Sequence, residues 1–341
     1  MTTHIPSRDS ADRAMVGASP AFLAMLEQVS QVAALDKPVL VIGERGTGKE
    51  LVAGRLHYLS PRWDQPLVML NCATLTETLL ETELFGHEAG AFTGATRRHT
   101  GRFERADGGT LFLDELATVP ARMQEKILRV IEYGEFERVG GSETIRTDVR
   151  LVAATNRDLP ALAERGEFRA DLLDRLAFDV ITLPPLRARP GDIPELARHF
   201  ALNMVGELGR AYFPGFTPEA EAALARHTWP GNVRELKNVV ERSVYRQQDP
   251  DAPVDRIWLD PFDSPWRPRE SPAEVALTPA AAPAASLPEM PLDLDRHLAE
   301  IEARLIGAAL ERAHHNQREA ARMVGLTYHQ FRARLRKYRE G

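Results

Sequence analysis

Through the first half of the chain, short apolar runs alternate with segments whose apolar residues recur every three or four positions; beyond that, only the second spacing persists. Positions 22, 23, 26, 29 and 32 give a helix over 21–32 one apolar face. Pro38 to Ile42, Leu67 to Cys72, Gly108 to Glu115, Val149 to Asn156 and Phe178 to Leu183 read as five buried strands. Helical spacing occupies Glu50 to His57, Gln124 to Tyr133 and Phe168 to Leu176 between them. Strand and helix in alternation predict an α/β unit with a parallel sheet between helices. After Pro194 the pattern is helical to about Arg246, a small α-helical lid whose last helix opens at Trp229 to Leu236.

A third segment begins at Leu292. Leu294, Leu298, Ile301, Leu305 and Ala308 are spaced as one apolar seam. Gln317 to Met323 predict a second helix and Val324 to Leu326 a turn, with Thr327 placed to cap a final helix. At about 100° per residue, Phe331, Leu335 and Tyr338 share an inward side. Tyr328, His329, Arg332, Arg336 and Arg339 share another, predicting a helix-turn-helix with a basic face for the major groove. A merely solvated basic helix is the alternative.

Composition adds boundaries. Residues 250–291 hold ten of the 24 prolines and many alanines, which reads as a semi-extended linker. The expected parts are a disordered polar tail (1–15), an α/β unit (16–186), a helical lid (187–249), the linker (250–291) and an all-α DNA-binding unit (292–341). No regulatory domain is expected ahead of the α/β unit. The net charge of −6 is uneven: 312–341 carries eight Arg/Lys against Glu319 and Glu340, a net of +6, leaving −12 on the rest. An acidic body with a basic end points to nucleic acid at that end. Cys72 is the only cysteine, which excludes an internal disulfide and a multi-cysteine metal site. No apolar run is long enough to span a membrane and no signal peptide is evident, so the expected compartment is the bacterial cytoplasm.

The chemistry-bearing stretch follows the first strand: Gly43, Glu44, Arg45, Gly46, Thr47, Gly48, Lys49 and Glu50 lead directly into a helix. Strand, glycine loop, lysine and helix form a phosphate cradle of the P-loop type, with backbone N–H groups and Lys49 facing a polyphosphate. A glycine-rich turn is the bland alternative. Glu50 stands where the strict pattern has Ser or Thr, so Thr47 or a water is needed to complete a magnesium shell. The third strand ends in Asp114 and Glu115, which suit Mg²⁺ binding and activation of water. Asn156 ends the fourth, where an amide can sense a γ-phosphate. Arg169 and Arg175 lie on one helix and are candidate arginine fingers acting in trans, although surface arginines are usually solvated. Trp63, in a polar loop, reads first as a partial core plug and second as a partner anchor. Gly90, Ala91, Phe92, Thr93, Gly94 and Ala95 form a flexible turn in which Phe92, taken alone, reads as a local plug.

Together, Gly43 to Glu50, Glu83 to Glu88, Gly90 to Ala95, Gly108 to Glu115 and Trp229 to Leu236 resemble the AAA+ domain of bacterial enhancer-binding proteins, the activators of sigma-54 RNA polymerase. The resemblance runs from about Val16 to Arg246, Glu50 is that family's own P-loop variant, and the C-terminal unit resembles its Fis-type helix-turn-helix. It implies ATP and Mg²⁺ as ligands, Lys49 on phosphate, Asp114 on Mg²⁺, Glu115 polarising water, and Asn71 holding Glu115 as a switch. It also implies Thr155 and Asn156 as a first sensor, Arg234 as a second, and Arg169 with Arg175 as the trans fingers of a hexameric ring. Residues 90–95 become the loop that touches sigma-54, which reverses the plug reading of Phe92. Thr327, Tyr328, His329, Arg332 and Arg336 would meet enhancer DNA as part of a dimer. Within the family, the phage-shock activators share the Trp63 placement and Leu326 to Arg332, implying a PspA-like inhibitor on a patch with Trp63. Two rival functions are an AAA+ remodeller of another substrate and a DNA-binding repressor whose ATPase only sets its oligomeric state.

Overall fold

The computed structural model describes residues 15–264, 266–267 and 293–337. The expected N-terminal tail, much of the expected linker, Tyr338 and Arg339 lie outside the described residues. The chain divides into two units, Met1–Asp263 and Ser264–Gly341.

The first unit opens with α1 (Pro20–Ala33), β1 (Val39–Ile42), α2 (Lys49–Tyr58), β2 (Leu67–Asn71), α3 (Glu77–Phe85), α4 (Arg102–Arg105) and β3 (Thr110–Asp114). There follow α5 (Ala121–Tyr133), β4 (Glu135–Glu137), β5 (Thr144–Arg146), β6 (Arg150–Thr155), α6 (Leu159–Glu164), α7 (Ala170–Leu176) and β7 (Asp179–Thr182). The five apolar runs form one sheet in the order β2-β3-β6-β1-β7, every neighbouring pair parallel. Alternation along each strand divides the core. Leu40, Leu111, Leu113, Leu151 and Ala153 join one apolar cluster, while Val39, Val41, Phe112, Val152 and Ala154 join the other with α1 and α2. Pairing puts Asn71 opposite Asp114 and Ile42 opposite Thr155, so the polar strand ends share one edge of the sheet. That is the edge where open parallel sheets bind ligands.

The hairpin β4–β5 has no counterpart in the sequence reading. Its strands are three residues long, and only Phe136 and Ile145 face each other as an apolar pair. Such short, charged strands give almost no period-two signal; the Gly140-Gly141 turn between them was the available clue. Gly134, at φ 67°, ends α5 and turns the chain into the hairpin.

The lid comprises α8 (Ile193–Glu207), α9 (Pro218–Arg226) and α10 (Asn232–Arg246). Trp229 is fully buried among them, its indole N–H donating to the Leu224 carbonyl at 3.0 Å. The linker expected from residue 250 begins later. Val254 is buried in the lid core and exchanges backbone bonds with Gly215 and Thr217. Arg242 donates to the Trp258 carbonyl at 2.7 Å, and the guanidiniums of Arg246 and Arg256 lie 4.5 and 3.9 Å from the Trp258 ring. Proline content alone hid these apolar contacts.

The second unit contains α11 (Leu294–Arg312), α12 (Gln317–Met323) and α13 (Tyr328–Lys337). Its core is Ile306, Ala309, Ala313, Ala320, Ala321 and Phe331. The expected seam on α11 is therefore not the core face: Leu294, Leu298, Ile301 and Leu305 are exposed, and the helix packs through Ile306 and Ala309 instead. Two apolar stripes share this helix, and spacing favoured the one with larger side chains. Thr327 caps α13 as expected, accepting from Gln330 N–H while Gln330 Oε1 accepts from Thr327 N–H.

A buried arginine closes the C-terminus of α1. Arg150, at the start of β6, donates to the Val32, Ala33 and Lys37 carbonyls at 3.0, 2.9 and 3.3 Å. It satisfies orphan helix carbonyls and sets a positive charge at the negative end of the helix dipole. We predict that Arg150→Ala lowers unfolding free energy by about 2–4 kcal/mol, because buried carbonyls lose their donors. Urea titration of the full chain checks this, and an unchanged midpoint would contradict it.

Candidate functional site

The P-loop glycines solve a steric problem. Gly46 and Gly48 have φ of 78° and 99°, a region side chains rarely adopt, and a Cβ on Gly46 would stand 2.2 Å from the Gly231 carbonyl oxygen. The loop is thus pressed against the start of the lid's last helix, where Arg234 N–H donates to the Gly46 carbonyl at 3.3 Å. Lys49 is the first residue of α2 and is buried; its ammonium donates to the Gly43 and Glu44 carbonyls at 3.0 and 3.3 Å. Burial pulls the pKa of Lys49 below its ordinary value, against the opposing pull of Asp114 and Glu115.

A cleft of about 530 Å³ lies between sheet edge and lid, lined in part by Gly46 to Leu51, Asp114 and Arg234. Met15, Val16, Phe22, Leu196, Phe200 and Val233 supply apolar walls, and Arg189, His199, Lys237 and Asn238 complete the lining. Cationic, N–H-rich groups combined with apolar walls suit the polyphosphate and base of a nucleotide. Asp114 supplies the hard carboxylate oxygen that Mg²⁺ selects, so the residues present fit the metal. Among the described residues no preformed group of three or more His, Cys, Asp or Glu could hold it alone. Thr47 donates its hydroxyl to the Glu44 carbonyl at 2.8 Å and is buried, which disfavours it as the missing metal ligand.

Several expected roles change in detail. Asn71 does not hold Glu115: its amide donates to Asp114 at 3.1 Å, while its carbonyl oxygen accepts from Ala73 N–H. Glu115 N–H donates to Asp114 at 2.9 Å, and Glu115 itself sits at φ 54°, a strained conformation for a side-chain-bearing residue. Glu44 faces the lid rather than phosphate. Its carboxylate accepts from Arg187 and from the Asn232 amide at 3.1 Å, and those bonds, Arg187's first, hold its pKa down at about 2. Cys72, next to Asn71, is no nucleophile, since burial pushes its thiol up to about 12.

Thr155 ends β6 beside the P-loop strand and Asn156 follows it, but neither is among the cleft's lining residues. Thr155 accepts Gly43 N–H at its carbonyl and Arg157 N–H at its hydroxyl. Arg169 and Arg175 also lie outside this cleft and pair with Asp171 and Glu132.

A second site is the loop 88–98. His87 and His99 exchange backbone bonds of 3.1 and 2.9 Å at its base, and their rings stack 5.5 Å apart. Gly90 N–H donates to the Ala95 carbonyl at 2.7 Å, and Gly90 and Gly94 both have positive φ. Ala95 is buried; Phe92 and Thr93 are exposed, with the Phe92 ring edge-on to His87 at 5.0 Å. The plug reading of Phe92 is thereby overturned. The hairpin that sequence missed supports this loop: Glu88 N–H donates to the Val139 carbonyl, and a Cβ on Gly140 would meet Ala91 at 2.6 Å. Between them, buried Arg138 donates to Glu88 at 2.7 Å and to Glu104 at 2.9 Å.

Trp63 is 63% exposed, so it plugs nothing, and Tyr58 and Leu59 are exposed nearby in sequence. On α13, His329, Arg332 and Arg336 are exposed opposite buried Phe331, while Tyr328 is half-buried with the Arg318 guanidinium 5.7 Å from its ring.

Comparison with known proteins agrees with this anatomy. Residues 15–182 match the Sigma-54 interaction domain, 187–257 the AAA+ ATPase lid domain and 297–338 the Bacterial regulatory protein, Fis family. The Psp operon transcriptional activator of Escherichia coli is 59% identical over 324 residues, 95% of this chain and 97% of that protein. NtrX from Brucella abortus in complex with ADP superposes with a TM-score of 0.67 at 34% identity, covering 97% of this chain and 71% of its own. The same protein in complex with ATP gives 0.66 at 33% identity, with coverages of 95% and 69%. The chain belongs to the sigma-54-dependent transcriptional activators: it is an AAA+ ATPase joined to a Fis-type helix-turn-helix for DNA.

Proposed function

We propose that this chain forms a hexameric ring that binds ATP with Mg²⁺ and uses hydrolysis to remodel the sigma-54 RNA polymerase closed complex at a phage-shock-type operon, in the cytoplasm. The observation that carries this reading is one unit combining a phosphate cradle at Lys49 and Asp114 with an anchored loop exposed at Phe92 and Thr93. Lys49 would leave the Gly43 and Glu44 carbonyls to meet the β- and γ-phosphates. Asp114 would hold Mg²⁺, with water in place of the absent Ser or Thr hydroxyl; the ion supplies charge neutralisation for phosphoryl transfer. Glu115 orients and deprotonates the attacking water. Arg234 reads phosphate from the lid, Thr155 and Asn156 from the sheet, and Arg169 and Arg175 serve the neighbouring subunit's site.

A route from chemistry to loop is short. Asn71, bonded to Asp114, ends β2, and α3 then runs to Phe85, two residues before His87 at the loop base. A shift of the carboxylates on hydrolysis would reach the loop along this connection. The relative from Escherichia coli is named for the Psp operon, and exposed Trp63 suits a patch gripped by a PspA-like inhibitor.

The second unit would bind enhancer DNA through Thr327, Tyr328, His329, Arg332 and Arg336, and dimerise through the exposed α11 stripe of Leu294, Leu298, Ile301 and Leu305. Dimerisation would bring two recognition helices to two half-sites and raise the local concentration of the ATPase units.

Two outcomes are expected. Thr93→Ala should keep ATP hydrolysis but lose open-complex formation in a promoter-melting assay; full opening by this variant would remove the loop from the mechanism. Leu298→Glu with Leu305→Glu should weaken binding of the full chain to a two-half-site enhancer by about tenfold or more in gel shift, equivalent to about 1.4 kcal/mol. Unchanged binding would contradict dimerisation through this stripe.

A further inference from the structure

One buried cation in the cleft is left without adequate partners. Arg189 is 4% exposed and lines the cleft wall, yet its Nε is buried without a hydrogen-bond partner. Its nearest carboxylate, Asp192, is 3.7 Å from one terminal nitrogen. Both Asp192 oxygens are already engaged: Oδ1 accepts from Ala18 N–H and Ser19 N–H, and Oδ2 accepts from the Ser19 hydroxyl, each at 2.8 Å. The remaining contact is with the Phe22 ring, 5.0 Å from the guanidinium carbon. A guanidinium offers five N–H donors, and leaving a buried one such as Nε–H unused is costly. Burial pulls the pKa of Arg189 down, and Asp192 only partly offsets this.

The place of this arginine narrows what it serves. The groups suited to phosphate in this cleft are Gly46 to Lys49 and Arg234. Arg189 lies against Phe22, and Met15, Leu196, Phe200 and Val233 give the same cleft apolar walls alongside His199, Lys237 and Asn238. A flat heteroaromatic ring with acceptor nitrogens at its edge fits both features, because its faces suit the apolar walls and its edge suits a donor-only side chain.

We propose that Arg189 is a base-recognition residue, donating hydrogen bonds to acceptor nitrogens on the purine of the bound nucleotide. The proposal rests on the reading of this cleft as the nucleotide site. It separates two binding functions along the cleft: Lys49 holds phosphate whatever base is attached, and Arg189 holds the base whatever the phosphate count.

Equilibrium binding of ATP, ADP and inorganic tripolyphosphate to the full chain tests it. In Arg189→Met and Arg189→Lys, ATP and ADP should bind about tenfold more weakly while tripolyphosphate affinity is unchanged. The lysine variant keeps the buried cation and remains informative should the methionine variant not fold. Ser19→Ala removes one Asp192 partner without touching the guanidinium and should leave ATP affinity intact. ATP affinity unchanged in the lysine variant, tripolyphosphate affinity falling in parallel, or an equal loss in Ser19→Ala would each overturn the proposal. If the unaltered chain binds neither ATP nor tripolyphosphate, the cleft reading itself fails, and the assignment of Arg189 with it.

Discussion

The fully buried side chain of Asn232 ties the P-loop to the lid, and the nucleotide cleft depends on that tie. Its carbonyl oxygen accepts from Leu186 N–H at 2.8 Å, and its amide donates to the Glu44 carboxylate and the Arg45 carbonyl, both at 3.1 Å. Three segments thus meet on one amide: the P-loop, the connection leaving β7 and the start of α10. Asn232 adopts φ 53°, a conformation that asparagine tolerates better than most residues, and the lack of a side chain on Gly46 permits the close approach of the Gly231 carbonyl beside it. With its polar atoms satisfied, this buried contact is directional and sensitive to geometry. On the proposed mechanism, a lid docked so tightly on the phosphate loop would sense what the loop holds. Glu44 extends the same junction outward to Arg187, a partly exposed pair that contributes orientation more than stability.

A second constraint operates at the loop that carries Phe92. A glycine-rich hexapeptide has little reason to hold one shape alone. Here its ends are closed by the paired backbones of His87 and His99, and its flank is held by the β4–β5 turn through Arg138, Glu88 and Glu104. Rigid ends and an exposed tip suit a mechanical contact: on the proposed mechanism, displacement at the base would reach Phe92 and Thr93 without being lost in slack chain.

The sheet was legible because its strands are buried on both faces and so read as unbroken apolar runs; observed limits differ from the expected ones by about two residues or fewer, within ordinary end-fraying. The phosphate loop was legible because few backbones other than a cradle need Gly43, Gly46 and Gly48 followed by Lys49. What stayed hidden depended on contacts distant in sequence. The β4–β5 hairpin is too short to show a period, and Val254 packs against the lid from within a proline-rich stretch. On α11 the larger apolar stripe faces outward, so amphipathic spacing identified a surface and not the core. Asn71 was placed correctly at a strand end, but its partner was set by register, opposite Asp114 and not Glu115. Arg189 gave no signal in sequence; only its burial and unmet donors set it apart.

The central claim is that hydrolysis at the Lys49–Asp114 site does mechanical work on sigma-54 polymerase. Its most direct test is open-complex formation by the purified full chain with sigma-54 holoenzyme on a duplex promoter, with ATP, with a non-hydrolysable analogue and with Lys49→Ala. The account predicts melting with ATP alone, none with the analogue, and none with Lys49→Ala although that variant still binds enhancer DNA. Melting without hydrolysis, or vigorous hydrolysis with no melting, would contradict it.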